Sequence, residues 1–160
     1  MSVENYFSLS FSELIGFFVT IISVALIIKQ LNDSRLATQM SGYLTLSDQF
    51  NNIVPAIEFI DSLNNSEEWN ALDGPDAYKY LMENETYKVA YKSVAAFYEI
   101  LASLLYRGAL DKKLAWNTFG FIGTKRWFTI KKAVVVHRKA MGVEELYDQW
   151  EWMAENLSKR

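Results

Sequence analysis

The chain contains no cysteine. That excludes thiol catalysis and any disulfide framework, and it agrees with a reducing compartment. It has one histidine, His137, placed after Val134-Val135-Val136 and beside Arg138. A Ser/His nucleophilic pair would have to use that residue, and no G-x-S-x-G elbow is present to supply the serine. A lone histidine among bases reads as an ordinary surface or hydrogen-bonded residue. There is no P-loop and no G-x-G-x-x-G. No His/Asp/Glu spacing fits a metal, so neither cofactor nor metal is expected. With two prolines, seven glycines, no repeat and no low-complexity segment, the chain lacks the marks of a linker or a fibre. At 51% hydrophobic and 15% aromatic it is too apolar for a disordered tail. A formal net charge of −3 argues against a general nucleic-acid binder.

Its most distinctive feature is one apolar run: Leu14, Ile15, Gly16, Phe17, Phe18, Val19, Thr20, Ile21, Ile22, Ser23, Val24, Ala25, Leu26, Ile27 and Ile28. Counted from Leu9, the stretch to Ile28 carries one charge, Glu13, and as a helix it reaches about 30 Å, the thickness of a bilayer core. It is apolar on every side, whereas a helix lying on a soluble core shows a polar face. The reading is a transmembrane helix. A cleaved signal is disfavoured, because Glu4 and Glu13 replace the basic n-region and Lys29-Gln30-Leu31-Asn32 replaces the small-residue cleavage site. Lys29 and Arg35 follow the run and nothing basic precedes it, so the N-terminus is expected outside and the C-terminal part in the cytoplasm, at the inner membrane. Gly16, Thr20 and Ser23 share a face on which two spans could approach closely.

Two parts follow: a tail and span, 1–29, and a helical domain, 30–160. The fold class is all-α, one N-terminal transmembrane helix and then a cytoplasmic bundle of about five or six helices. From Gln30 to Ile53, Leu31, Leu36, Met40, Tyr43, Leu44, Leu46 and Phe50 recur at helical spacing. Pro55 predicts a kink or break there. A short helix from Ala56 to Leu63 precedes the polar loop Asn64-Asn65-Ser66. The acidic segment Glu67–Glu85, broken at Asp73-Gly74-Pro75, reads as the most mobile region. Glu85–Arg107 is the central core helix, with Asn84 as N-cap and Gly108 as stop. A helix from Lys112 to Phe121 is ended by Gly120 and Gly123. Trp127–Met141 follows, with Trp127, Ile130, Val134 and Met141 inward and Lys125, Arg126, Lys131, Lys132, Arg138 and Lys139 outward. Val143–Leu157 is a last, acidic helix. It forms an antiparallel hairpin with its basic neighbour through complementary charges. From Gln30 to Leu110 there are eleven acids and five bases. From Asp111 to Arg160 there are six acids and ten bases.

One residue breaks the core pattern. Glu99 lies in Val94–Leu105, apolar nearly all round, where a carboxylate is costly unless paired or protonated. A structural ion pair with Arg126 or Arg138 is the expected reading, ahead of a catalytic acid. On that reading Glu99→Gln loses stability, whereas a catalytic acid predicts a stable, inactive variant. The outward bases are candidates for contact with anionic lipid or a protein partner.

Ile28-Lys29-Gln30-Leu31 with Arg35, then Phe97-Tyr98-Glu99, Tyr106, Gly108, Leu110-Asp111, Trp116 and Trp127 form a pattern. In these the chain resembles a diffuse family of uncharacterised small bacterial and phage membrane-anchored helical proteins, annotated only as a domain of unknown function. The juncture departs from that family's usual Arg-Gln-Asn, and Asn64–Pro75 has no clear counterpart in it. The resemblance implies an anchored helical architecture and no reaction. The expected function is a membrane-anchored interaction or regulatory module with a cytoplasmic protein partner, in a setting such as phage–host conflict. The alternative is a self-assembling homo-oligomer that perturbs the bilayer when triggered, which Gly16→Ile would abolish. No enzyme activity is expected.

Overall fold

The computed structural model describes the backbone of residues 11–156 and the side chains of residues 19–156. Every regular element among the described residues is helical. The chain divides into two compact units, 1–40 and 41–160.

The first unit consists of most of helix α1 (Phe11–Asn52). Val19, Ile21, Ile22, Val24, Leu26, Ile27 and Ile28 are each 48–58% exposed, on all sides of the helix. The Ser23 hydroxyl turns back onto the Val19 carbonyl at 2.8 Å. Among the described residues no helix is long and apolar enough to cross a membrane. The expected span is helical throughout, but the side chains from Leu14 to Phe18, with Gly16, lie outside the described residues. The wide apolar face expected after Gln30 is only partly used. Leu31, Leu36, Met40 and Leu44 are exposed, whereas Tyr43, Leu46 and Phe50 pack into the second unit's own core.

In the second unit, the break expected at Pro55 falls there, and the proline opens the next helix. α1 ends at Asn52 and α2 (Val54–Leu63) has the proline in its first turn, where the missing N–H has no partner to lose. The segment read as mobile is helical and anchored. Ser66 caps α3 (Glu67–Ala71) by accepting from Trp69 N at 3.1 Å. Asp73 caps α4 (Gly74–Glu83) by accepting from Asp76 N at 2.9 Å. Together these helices bury Trp69, Ala77 and Leu81. The acidic composition had hidden a core face.

The central helix is as expected. α5 (Glu85–Tyr106) is capped by Asn84, which accepts from Thr86 N and Tyr87 N. It stops at Gly108, in the left-handed region with φ 68°. It packs against α2 and α4 and, further on, α8 (Asp148–Asn156).

Gly120 and Gly123 do not end a helix. α6 (Lys112–Ala115) continues through a π-helical turn, Trp116–Gly120, into α7 (Phe121–Met141). The Trp116 ring lies over Gly120 where a Cβ would overlap it, and the wider turn admits that ring. Of the expected inner face, Trp127, Ile130 and Val134 are fully buried but Met141 is exposed. Gly142, with φ 65°, terminates α7. The last helix is shorter than expected: residues 143–147 are a turn holding Glu144 and Glu145, with Tyr147 at φ 63°, and Leu157 lies outside the described residues. α7 and α8 do form the charge-matched hairpin.

Candidate functional site

The polar groups of the second unit converge on α7. Arg126 was expected on its outer side, yet only 5% of its side chain is exposed. Its guanidinium grips Asp61 of α2 in a two-pronged pair, Nε to Oδ1 at 2.8 Å and Nη2 to Oδ2 at 2.6 Å. Nη1 donates to the Tyr98 hydroxyl. A planar fork suits this arrangement, because it satisfies a carboxylate and a phenol together in a site where an unpaired charge would be costly. Burial pushes the Tyr98 phenol up, against the Arg126 charge that pulls it down.

Aromatic packing holds this group in place. The Tyr98 ring stacks on Trp150 with centroids 4.8 Å apart, and Trp150 meets Trp127 edge-on at 5.4 Å. Trp150 Nε1 donates to the Gly123 carbonyl at 3.1 Å. A Cβ on Gly123 would overlap the Tyr98 ring, so this helical glycine exists for a close approach. Trp127 Nε1 and Gln149 Oε1 are buried without a hydrogen-bond partner among the described residues.

Glu99 pairs with neither Arg126 nor Arg138 as its hydrogen-bonding partner. Its carboxylate is half-buried and caps α8, accepting from Trp150 N at 2.9 Å and Gln149 N at 3.3 Å. These are backbone donors of a helix's first turn, which have no intrahelical acceptor and carry the positive end of the helix dipole. The carboxyl is nonetheless raised above its usual range. Burial outweighs the two backbone hydrogen bonds, and Asp148 nearby adds to the rise.

His137 is buried, with Nδ1 3.0 Å from the Tyr91 hydroxyl and its ring among Tyr78, Tyr91 and Tyr147. Burial, and then the charge of Lys92, lower its imidazole below the usual value.

The remaining bases divide sharply. Arg138 reaches Glu151 at 2.7 Å, Asp148 at 2.9 Å and the Leu146 carbonyl at 2.8 Å. Lys131 pairs with Glu151 and Glu155, and those acids raise it. Lys132 donates to the carbonyls of Trp69 and Leu72, at the C-terminal end of α3, where the helix dipole favours a cation. Burial lowers its ammonium. Of the expected outer set, only Lys125 and Lys139 have a charged group with neither an ion pair nor a hydrogen bond among the described residues, and both are exposed. On the first unit, Ser23 is bonded within its own helix, and Gly16 lies outside the residues with described side chains.

No group of three or more His, Cys, Asp or Glu among the described residues could hold a metal ion. Sequence reasoning missed Asp61, Tyr98 and Gly123. Asp61 and Arg126 are 65 positions apart with no local cue linking them. Gly123 was read as a breaker, although its place beside Trp127 and Phe128 marks it equally as a packing notch.

These features define an all-helical domain with an aromatic core crossed by one buried arginine network, preceded by a long apolar helix. The chain belongs to the family described as a domain of unknown function (DUF4760), whose model matches residues 10–157. No curated protein and no solved structure matches it.

Proposed function

We propose that the chain is a membrane-anchored helical interaction module of a bacterium or phage. In this reading α1 enters the inner membrane, the N-terminus lies outside, and the second unit engages a protein partner in the cytoplasm. The observation that carries the reading is the environment of Val19 to Ile28. Seven large apolar side chains stand about half-exposed on every side of one helix. Soluble proteins do not leave such a continuous apolar belt in water. The groups that resembled chemistry fit the same reading. Glu99 is used as a helix cap, Arg126 in a core ion pair, and His137 in a hydrogen bond to Tyr91.

The test is fractionation of the full chain beside a chain beginning at Gln30. Retention of only the full chain through high salt and alkaline carbonate is the expected result, with photocrosslinking in the membrane then used to capture the partner. A full chain released by carbonate overturns the anchor. Crosslinks only between copies, lost with Gly16→Ile, would replace the module by a self-assembling effector.

A further inference from the structure

From Lys112 to Val143 the chain carries eight bases and no acid. Four of those bases, Arg126, Lys131, Lys132 and Arg138, are engaged within the fold, as described above. What is left on the outer side of α7 has a regular order. Phe121, Lys125, Phe128, Lys132, Val135 and Lys139 are spaced alternately four and three residues apart, which keeps them within about 80° of one another around the helix. Phe121 is 73% exposed, Phe128 56% and Val135 40%. Apolar and ammonium side chains thus alternate turn by turn along one strip, which the end of α3 meets at Lys132.

Beside Phe128 the strip opens into a notch of about 350 Å³, lined by Asn64, Asn70, Lys125, Thr129 and Lys132. Lys132 Nζ uses two of its three donors on the Trp69 and Leu72 carbonyls. Its ammonium also lies 4.8 Å from the Trp69 ring centroid, so the exposed Lys125 is the uncommitted cation of the notch. Asp73, Asp111 and Glu144 flank the strip, and none of them forms an ion pair with Lys125 or Lys139 among the described residues. Asp111 is spent as the N-cap of α6, accepting from Leu114 N at 2.7 Å. Glu144, beyond the end of α7, borders a hollow with Val135 and Lys139, so it offsets charge at that end and leaves the Phe121–Phe128 end basic.

We infer that this strip docks on an anionic phospholipid surface, with Phe121 and Phe128 entering the headgroup boundary, a lipid phosphate in the notch, and Lys125 and Lys139 against the surface charge. Bulky aromatics separated by lysines match an interface that is apolar below and anionic above, the pattern of helices that lie in the membrane plane. The inference rests on the proposed anchor, which would hold lipid at high local concentration.

The native chain lacks cysteine, so a single Phe128→Cys substitution can carry an environment-sensitive fluorophore on the full chain. A Val89→Cys label, at an exposed position on α5 off the strip, serves as control. Vesicles are phosphatidylcholine alone or phosphatidylcholine with phosphatidylglycerol, and flotation is read alongside emission. The expected result is flotation with both lipids and a blue shift at position 128 only with phosphatidylglycerol, the control being unmoved. Lys125→Gln with Lys139→Gln should lower the docked-to-undocked ratio roughly 25-fold, about fivefold for each charge. Flotation with both lipids and no shift at 128 overturns docking while the anchor stands. Salt-sensitive flotation and a shift with phosphatidylglycerol alone keep docking and remove the anchor, and failure to float with either lipid removes both. An equal shift in the two lipids, a shift at both labels, or a lipid-free shift that grows with protein concentration each overturns the inference.

Discussion

At the scale of single residues, tertiary contact outweighs local preference. Alanine is favoured over glycine inside a helix by about 1 kcal/mol, and Gly123 lies inside α7. Yet its missing Cβ is what lets the Tyr98 ring pass, and that ring is clamped by Trp150 and tied to Arg126. Gly123→Ala is therefore expected to destabilise the fold by about 1–3 kcal/mol, the cost of overpacking a filled core. Chemical denaturation checks this, and a more stable variant would contradict the geometry. Arg126 makes the same point. Nothing in its neighbourhood along the chain distinguishes it from Lys125, but one is exposed and the other is held in the core by an acid from α2.

At the scale of elements, the attachment of α8 to α5 depends on Glu99. Removing the carboxylate with Glu99→Ala leaves two first-turn donors without acceptors and should cost about 1 kcal/mol, as loss of a helix cap does. Glu99→Gln should behave differently. Its amide offers one oxygen to the two backbone donors and turns its own N–H toward the other, so it is expected to lose part of the cap and to fall between the native residue and Glu99→Ala in stability. Thermal melts of the two variants decide this. A partial loss with Glu99→Gln is what capping by two oxygens predicts, and a variant as stable as the native chain would contradict it. Several elements were readable along the chain. Asn84 and Gly108 bracket α5 because cap chemistry is local. The break read at Pro55 is there, whereas Gly120 was misread, because a glycine that ends a helix and one that admits a ring are the same residue, and only the surrounding packing chooses between them.

For the whole molecule, the buried histidine links stability to pH. Its imidazole is lowered from 6.5 by burial and by Lys92. Between that lowered value and 6.5 the unfolded chain holds a proton that the folded one does not, so stability rises with pH across this window, is complete above 6.5 and is lost as pH falls below it. Glu99 has the opposite sign. Its raised carboxyl contributes stability below 4.5 that is lost as pH rises through the folded value. His137→Gln keeps an acceptor for Tyr91 and removes the titration. It should flatten the decline in melting temperature just below pH 6.5, and an unchanged slope would assign that decline to other groups.

Local chemistry determined the all-helical class, the apolar helix near the N-terminus, the caps of α5 and the opposite charge of α7 and α8. Each of these depends on neighbours within a few turns of the chain. Tertiary structure decided which charges are spent. It joined Asp61 to Arg126, turned Glu99 to the end of α8, and left Lys125 and Lys139 exposed on a face with Phe121, Phe128 and Val135. These outcomes depend on which helices meet, and at a separation of 65 residues the partner of a buried charge is set by the packing of whole faces and not by spacing along the sequence.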